Sequence, residues 1–366
     1  MSGRNLPRES NPQVVMPLRF PPKQLSQQAA EIFAAAGAPP SSARLVADSL
    51  VEANLAGHDS HGVIRVKEYL DAILQGRIQP RAQPHIYAET PTTLQVDGGF
   101  AFGQVVATWT MDRLLQKAAT SYLAAGGIRH CGHVGRLGAY VQQAAEQGFI
   151  AFAFVNGGAR EPRLAPHGGA RPVFGTNPLA VGLPVKGRPP VVIDFSTAAI
   201  AAGKIRVARD KGESLPEGCI VDREGRPSCN PADYYNGGML LPAAGHKGYA
   251  LALLVEILAG VLSGAGSPVL EGWGTATTNG AFFIVLSPRG FTLAEEFASS
   301  VARLSETVKA VPAVAPQTEV LLPGEPETRT AAARLPHGIE LPETTWLAIQ
   351  AAAARVGVPV TVTALA

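Results

Sequence analysis

The chain has 366 residues, of which 46% are hydrophobic and 16% are charged. This composition can supply a large core and excludes an intrinsically disordered protein. The formal net charge is +2 and the acidic and basic residues are interspersed, so no nucleic-acid partner is expected. The length favours two units rather than one domain.

The cysteine pattern and the apolar segments indicate the cellular compartment of the protein. Cys131, Cys219 and Cys229 have no CxxC spacing, which predicts no zinc site and fits a reducing compartment. The most apolar run, residues 249–262, contains Glu256 and is too short to span a bilayer. The N-terminus has no apolar secretory segment. The sequence therefore predicts a cytoplasmic protein that does not bind membranes.

The first quarter of the chain is predicted to be a small helical unit. Residues 1–18 are polar and contain proline, which predicts a loose tail. Helices are expected over 23–36 and 42–56, because a glycine follows each apolar pattern. A third helix is predicted over 61–75.

Four ionisable side chains and a serine lie close together before and within this third helix. In a helix, its apolar residues share one face, while His61, Arg65 and Tyr69 fall on the opposite side at spacing i, i+4, i+8. This side offers a proton-transfer group, a guanidinium that matches a carboxylate, and a phenol. Ser60 is at the predicted N-cap position. A capped surface helix with a solvated polar face explains the same pattern.

After residue 80 the pattern changes to a strand at 92–97, a helix at 105–118, and a strand–turn–helix–strand unit over 124–155. The glycine turn over 132–138 lies at a helix start, where backbone N–H groups could hold a phosphate. Its spacing is not GxGxxG and no acidic residue follows at the expected distance, so it is not a dinucleotide fingerprint. Glycines required only for a tight turn explain it equally well.

The second half of the chain contains two charged residues at predicted element ends. An apolar run predicts a buried strand that ends at Asp194, either at the rim of a site or at a capped turn. Residues 203–236 are predicted to form a long irregular loop. The helix expected over 245–262 is apolar on all sides and should be buried. Lys247 in its first turn opposes the helix dipole, so either an anionic ligand such as a phosphate or plain solvation is expected.

Two helices are predicted near the C-terminus. Thr292 and Glu295 have capping-box spacing, which predicts the start of a helix. The last helix, over 344–356, should direct Trp346 and Ile349 inward.

Eight short motifs run in order along the chain. They are Asp59-Ser60-His61-Gly62 with Arg65 and Tyr69; Gly132-His133 with Gly135, Gly138 and Tyr140; Pro166 with Gly168-Gly169; Gly175-Thr176-Asn177-Pro178; Gly203-Lys204; Leu215-Pro216-Glu217-Gly218; Gly245-His246-Lys247-Gly248-Tyr249; and Leu322-Pro323-Gly324-Glu325.

In this combination and order, the sequence resembles the type-2 malate/L-lactate dehydrogenase family, over about residues 23–356. That family also contains ureidoglycolate, sulfolactate and diketogulonate-type dehydrogenases and the piperideine-2-carboxylate and pyrroline-2-carboxylate reductases. The resemblance implies an α/β, non-Rossmann fold, in which a larger unit with a mostly antiparallel sheet joins a smaller helical unit. The units implied are a tail over 1–18, a helical unit over 19–85 joined by 325–366, and a central cofactor-binding unit over 86–324. It also implies a nicotinamide cofactor and a homodimer or larger homo-oligomer.

The resemblance further assigns roles to individual residues. His133 matches the proton-transfer histidine, and Ser60, His61 and Asp194 match a relay proposed for the imine-reducing members. No metal is implied. The residues taken as substrate-binding are Arg65, Tyr69, Thr176 and Asn177. The residues taken as cofactor-binding are His133, Val134, Gly135, Arg136, Leu137, Asp194, His246, Lys247, Pro323, Gly324, Glu325 and Arg329.

Three departures from the family pattern lie near the predicted site. Relatives often have Asn-Ser-X-His where this chain has Arg129-His130-Cys131-Gly132-His133. His167 occupies a position where an aromatic residue is common, and Phe195-Ser196-Thr197-Ala198 replaces the usual Ala-Thr-Ser. The substrate is therefore less defined than the chemistry.

The chemistry requires hydride transfer between nicotinamide and C2, a proton-transfer group, and a cation for the carboxylate. His133 and His61 both suit the proton, with His133 preferred, and Arg65 suits the carboxylate. We therefore expect an NAD(P)-dependent dehydrogenase of a small 2-hydroxy or 2-oxo acid resembling malate or lactate. The alternatives are an NADPH-dependent reductase of cyclic imino acids and a non-catalytic ligand-binding relative. The residues that could meet the 2′-phosphate of NADP, or only water, are Arg206, Arg209, Lys211 and Arg329.

Overall fold

The structure, a computed structural model, describes residues 18–157, 162–270, 279–315 and 317–365, and for residues 210 and 211 the backbone alone. The predicted tail lies outside these ranges except for residue 18. Within them the strands are β1 (Leu18–Phe20), β2 (His85–Glu89), β3 (Thr93–Ala101), β4 (Leu123–Cys131), β5 (Ile150–Val155), β6 (Leu179–Leu183), β7 (Val191–Phe195), β8 (Ile220–Val221), β9 (Pro227–Ser228), β10 (Met239–Leu240), β11 (Asn279–Leu286) and β12 (Ile339–Leu341).

Helices separate most of these strands, and no helix in the described ranges is long and apolar enough to cross a membrane. The α-helices are α1 (Pro22–Ala35), α2 (Pro40–Leu55), α3 (Val66–Leu74), α4 (Gly103–Ser121), α5 (Gly138–Glu146), α6 (Ala202–Lys211), α7 (Pro231–Tyr235), α8 (His246–Val255), α9 (Ala294–Lys309), α10 (Glu325–His337) and α11 (Glu343–Arg355). Short 3₁₀ turns span Asp59–His61, Val63–Arg65 and Pro288–Gly290, and a π-helix over Glu256–Leu262 continues α8.

A seven-stranded sheet in the order β2-β3-β4-β11-β5-β6-β7 forms the centre of the molecule. Only β3 and β4 pair in parallel, and the other neighbours are antiparallel. α4 and α5 cover one face around a core that includes Met111, Val141 and Phe283. The π-helix after α8 packs on the other face against Phe154 and Phe282. The expected α/β, non-Rossmann architecture with a mostly antiparallel sheet is confirmed.

The N-terminal helices share one apolar core with the C-terminal segment. α1, α2 and α3 contribute residues such as Phe33 and Leu50, and α11 contributes Trp346 and Ile349, which point inward as predicted. β1 pairs with β12, so the two ends of the chain are also joined by backbone hydrogen bonds. The boundaries proposed for the separate units stay a prediction.

The third predicted helix begins later than expected. Two 3₁₀ turns replace its first residues, and the α-helix starts only at Val66. Gly62 has ψ −157°, an extended value that interrupts the helix, and Asn54 Oδ1 accepts the Val63 N–H at 2.8 Å. The predicted N-cap role of Ser60 was wrong, since no side chain caps this turn. Leu74, predicted to face the core, is 52% exposed.

The stretch over 203–236 is not an irregular loop. It contains most of α6, all of α7, and the strands β8 and β9. These two strands and β10 form a small sheet in the order β10-β8-β9. The helices are short and locally terminated: α6 ends at Gly212, whose φ is +69°, and the Asn230 side chain caps α7 by accepting from the Ala232 N–H at 3.1 Å. Glycine, proline and asparagine here mark the ends of small elements rather than the absence of structure.

Two other predictions for the C-terminal half were also wrong. α8 and the π-helix are buried only on their inner side, through residues such as Ala252 and Val255. α9 begins after Leu293 without a side-chain cap, so Thr292 and Glu295 do not form a capping box. The large apolar side chains exposed on the outer side of α8 and the π-helix are Leu253, Leu254, Ile257, Val261 and Leu262.

Candidate active site

The candidate site lies where α3, the start of α4 and the loop after β4 meet. Tyr69 Oη is 2.7 Å from His133 Nδ1, and Gln104 Nε2 donates to Tyr69 Oη at 2.9 Å. Tyr69 is 2% exposed and Gln104 is 1% exposed, whereas His133 is partly exposed. Burial raises the pKa of Tyr69, which therefore stays a neutral phenol. A neutral, buried hydrogen-bond chain thus holds one nitrogen of the His133 ring.

The loop that carries His133 is fixed from both sides. Its Val134 N–H donates to Asn279 Oδ1 at 3.2 Å, and the Tyr140 hydroxyl donates to the Val134 carbonyl. Gly103 touches the loop so closely that a Cβ there would collide with the backbone of His133. Glycine at this position lets α4 approach the loop and brings Gln104 to Tyr69.

His61 lies beside His133, with the two rings stacked at a centroid distance of 5.5 Å and an interplanar angle of 15°. Ser60 Oγ is 3.1 Å from His61 Nδ1. Burial, and next the charge of Arg65, lower the pKa of His61 to about 3. His61 is therefore a neutral imidazole at neutral pH, poorly suited to donate a proton.

Asp194 is at the end of β7, as predicted, and its carboxylate binds the N-terminus of α5. Its Oδ2 accepts the N–H of Gly138, the first residue of α5, at 2.7 Å. Burial raises the pKa of Asp194, although the charge of His58, this hydrogen bond and the charge of Arg136 oppose the shift. Its hydrogen bond goes to Gly138, while Ser60 bonds to His61. The carboxylate also occupies the α5 N–H that the glycine turn was expected to offer to a phosphate.

Arg136 and its neighbours in the 134–137 segment are structural in this conformation. Arg136 is 5% exposed and pairs with Glu52, with Arg136 Nη2 2.9 Å from Glu52 Oε1. Val134 and Leu137 are buried in the core beneath the sheet. Gly135 is also buried, and its φ of +78° is a backbone conformation that favours glycine. His133 is the partly exposed residue of this loop that a cofactor could contact.

The predicted substrate-binding residues fall in two environments. Arg65 is partly exposed, donating from Nε to the Ser60 carbonyl at 2.7 Å and pairing with Glu68 at 2.5 Å. Asn177 is fully buried: its amide nitrogen donates to the Ala252 carbonyl and to Glu256 Oε2. Substrate contact through the Asn177 side chain therefore has no support in the geometry.

Thr176, the neighbour of Asn177, contributes through its backbone. Its carbonyl accepts from both the N–H and the hydroxyl of Thr197, at 3.1 and 3.0 Å. This holds the 175–178 turn against the residues after β7 and leaves Thr176 partly exposed.

The predicted cofactor loop lies against the edge strand β7. The Val192 N–H donates to the Pro323 carbonyl at 3.1 Å, and Gly324 has φ +93°. Here the side chains of Pro189, Pro190 and Val191 help to line a cavity of about 180 Å³ together with residues 322–329. The apolar wall suits a flat ring system.

The charged residues of this loop already have protein partners. Glu325 is bonded to Lys309 at 2.6 Å and to Arg188 at 3.1 Å, and the hydrogen bond from Lys309 lowers the pKa of Glu325. Arg329 pairs with both oxygens of Glu319, at 2.6 and 2.7 Å. A 2′-phosphate would compete with these carboxylates for the guanidinium groups.

Gly245, His246 and Lys247 form the N-terminus of α8. Lys247 is exposed, and its side chain has no hydrogen bond or ion pair within the part of the chain that the structure describes. His246 is exposed next to His167, with ring centroids 6.1 Å apart. An exposed lysine beside an exposed histidine at a helix N-terminus fits the phosphate portion of a nicotinamide cofactor.

Several residues that shape the site were not predicted. Gln104 and Asn279 lie in no motif and reach the site across 35 and 145 residues of sequence. Arg334 of α10 bonds both oxygens of Asp59, at 2.7 and 3.1 Å, and so anchors the turn before Ser60. A cluster of three or more metal-binding side chains is absent from the described residues.

The whole sequence was compared with known protein families and characterised proteins. The model of the malate/L-lactate dehydrogenase family matches residues 20–350. Hydroxycarboxylate dehydrogenase B of Escherichia coli (strain K12) is 38% identical over 346 residues, which cover 93% of this chain and 95% of the relative.

Solved structures show the same likeness. A putative malate/lactate dehydrogenase from E. coli has a TM-score of 0.87 and 38% identity, covering 93% of this chain and 96% of its own. The Δ1-piperideine-2-carboxylate reductase of Pseudomonas syringae pv. tomato has a TM-score of 0.81 and 32% identity. The match covers 91% of this chain and 99% of the reductase chain.

Proposed function

Because the chain belongs to the malate/L-lactate dehydrogenase family, we propose that it transfers hydride between NAD or NADP and C2 of a small 2-hydroxy or 2-oxo acid. The observation that carries this proposal is the hydrogen-bond chain from Gln104 through Tyr69 to His133 Nδ1. It gives one histidine of the site a fixed orientation, which a proton-transfer group requires.

His133 is the general acid and base in this proposal. Since Nδ1 is held by Tyr69, the proton is exchanged with the substrate oxygen through Nε2. The Tyr69 hydroxyl can accept from a protonated Nδ1, so the same contact supports the imidazolium that donates the proton during reduction. In oxidation the imidazole starts neutral, with its proton on Nδ1 facing Tyr69. The unprotonated Nε2 then takes the proton of the substrate hydroxyl while hydride leaves C2.

The pKa of His61 favours this assignment over the reverse one. A histidine with a pKa of about 3 carries too little imidazolium at neutral pH to act as a donor. Its stacking on His133 and its bond to Ser60 instead suit a positioning role. Arg65, held beside Ser60, supplies the cation for the substrate carboxylate.

The cofactor would be held at three places. His246 and Lys247 would meet its phosphates, the partly exposed His133 would lie beside it, and the cavity at Pro323 and Gly324 would hold a ring. When bound, the cofactor donates or accepts the hydride. We infer a homodimer or larger assembly in the cytoplasm, and the apolar outer side of α8 supports such an interface.

A second candidate activity is the NADPH-dependent reduction of a cyclic imino acid. The Ser60–His61 hydrogen bond favours it, because these residues belong to the relay proposed for the imine-reducing members. The likeness to the P. syringae reductase adds support. A non-catalytic ligand-binding role is the remaining alternative.

One assay series separates these functions. Purified protein is supplied with NADH or NADPH and with 2-oxo dicarboxylates, 2-oxo monocarboxylates or cyclic imines, and nicotinamide absorbance is followed. Turnover of 2-oxo acids supports the proposal, and turnover of cyclic imines alone would replace it with the second candidate. Enhanced nicotinamide fluorescence without turnover of any substrate would indicate a binding protein. Arg77→Lys serves as a matched control for Arg65→Lys, because within the described ranges the Arg77 side chain bonds to Gln75 alone.

A further inference from the structure

The small sheet places two cysteines opposite each other. β8 and β9 pair antiparallel, with Ile220 opposite Ser228 and Val221 opposite Pro227. Both cysteines lie directly outside these strands, and continuing the register by one residue sets Cys219 opposite Cys229. All three cysteines are free thiols, so this pair is not bonded in the structure.

The hydrogen-bond pattern identifies the kind of pair that these cysteines form. The Asp222 N–H donates to the Arg226 carbonyl at 2.9 Å, which makes that pair hydrogen-bonded. Antiparallel pairs alternate, so Val221 and Pro227 form a non-hydrogen-bonded pair, in agreement with the missing N–H of proline. Two steps beyond, Cys219 and Cys229 are again a non-hydrogen-bonded pair.

The carbonyls of the two cysteines point away from each other, as this alternation requires. The Cys219 carbonyl accepts from the Leu241 N–H at 3.0 Å, and the Cys229 carbonyl accepts from the Leu215 N–H at 2.7 Å. Non-hydrogen-bonded pairs have Cα atoms about 4.5 Å apart, with side chains on one face of the ribbon. Disulfides span Cα separations of about 4.4–6.8 Å, so the pair needs only side-chain rotation to close.

The geometry points to a reversible dithiol–disulfide site at Cys219 and Cys229. Cys229 is partly exposed and Cys219 is 6% exposed, so an external disulfide reaches Cys229 first. With glutathione disulfide, the Cys229 thiolate attacks one sulfur, forming a mixed disulfide and releasing one glutathione. The Cys219 thiolate then attacks Cys229 Sγ and releases the second glutathione. Two protein thiols are oxidised, and one glutathione disulfide is reduced to two thiols.

The second step should depend on pH. Burial, and then the charge of a free Cys229 thiolate, raise the pKa of Cys219. In the mixed disulfide Cys229 is neutral, and burial alone keeps the pKa of Cys219 raised. The thiolate of Cys219 is therefore scarce at neutral pH, and closure of the internal disulfide should be faster at pH 8.5 than at pH 7. The third cysteine, Cys131, is fully buried and burial raises its pKa to about 12, so it should stay reduced.

The test is oxidation of the folded, full-length protein with glutathione disulfide, followed by alkylation of the remaining thiols and peptide mapping. The expected product is a chain that is not cross-linked to a second copy, has lost two hydrogens and retains one alkylated thiol. Its peptides containing Cys219 and Cys229 should be joined. Dithiothreitol should restore all thiols. Cys131→Ser should still form the link, whereas Cys219→Ser should stop at glutathione on Cys229.

Three results would overturn the site. The first is a lasting glutathione adduct on Cys229 with Cys219 still reduced. The second is a disulfide that involves Cys131 or a second copy of the chain. The third is no loss of protein thiols at either pH while a small dithiol in the same tube is oxidised. The unaltered protein alone decides between these outcomes, so poor folding of a variant does not affect the test.

Discussion

Tyr69 and His133, 64 residues apart in sequence, are joined by a hydrogen bond of 2.7 Å between the phenol oxygen and Nδ1. The bond is buried on the tyrosine side and partly open on the histidine side. It links the helical N-terminal elements to the loop after β4. The proposed proton transfer depends on it, because it selects the nitrogen and the orientation of the imidazole.

Removing the phenol should alter the pH dependence of the reaction. Tyr69→Phe leaves the aromatic packing but takes the hydrogen bond from His133 and from Gln104. We expect kcat/KM to fall about 10-fold or more, as for a lost hydrogen bond of roughly 1.5 kcal/mol, and the apparent pKa of the profile to move. The pH–rate profile measures both. Tyr87→Phe removes a hydroxyl that donates to the Ser263 carbonyl and should leave the profile in place. An unchanged profile in Tyr69→Phe would remove Tyr69 from the mechanism.

His61 predicts a specific loss of stability in acid. The unfolded chain takes up a proton at His61 near pH 6.5, whereas the folded protein does so only near pH 3. Over that window the unfolded state binds more protons, so the free energy of unfolding should fall as the pH falls. His61→Gln should flatten this dependence when unfolding by urea is followed from pH 7 to pH 4. Equal slopes in the two proteins would mean that His61 is not held neutral by the fold.

The planar, two-pronged shape of the Arg65 guanidinium, and not its charge alone, should be required for binding the substrate carboxylate. Arg65→Lys keeps the charge but loses the planar fork, and a lost charge-assisted contact costs about 1.5–3 kcal/mol, or roughly 10- to 150-fold in kcat/KM. Steady-state kinetics with the best 2-oxo acid measure the effect, with Arg77→Lys as the control. Native kinetics in Arg65→Lys would place the carboxylate elsewhere.

Lys247 should affect cofactor binding and not the stability of the fold. It is exposed at the N-terminus of α8, where its charge opposes the helix dipole. Lys247→Ala should weaken NAD(P)H binding in a fluorescence titration and leave the melting temperature equal or slightly higher. Lys23→Ala, an exposed lysine in α1, should change neither quantity. A lower melting temperature with unchanged binding would make Lys247 a structural residue.

The sequence singled out Tyr69 and His133 in separate motifs, but it did not predict the hydrogen bond between them. The helical repeat placed Tyr69 on the side opposite the apolar face. Tyr69 is nevertheless 2% exposed, because Gln104 of α4 and His133 of the loop after β4 lie against its hydroxyl group. A local repeat does not detect packing by segments that are distant in the sequence.

Other contacts also arise only from the tertiary fold. Asn279 reaches the Val134 N–H because β11 lies next to β4, and nothing near Asn279 in the sequence marks that role. The burial of Asn177 under the π-helix likewise separates it from Thr176, although both lie in one motif. The mostly antiparallel sheet followed from the family resemblance, since the strand pattern alone does not fix strand order.

Substitution of His133 tests the central claim most directly. His133→Asn removes the proton-transfer group and leaves a polar side chain of similar size, so NAD(P)H should still bind in a fluorescence titration. The chemical step, measured by single-turnover absorbance, should slow by about 10²–10⁴-fold. His61→Asn should cost less. A His133→Asn enzyme that keeps the native single-turnover rate, with the loss found in His61→Asn instead, would contradict the account and give the proton to His61.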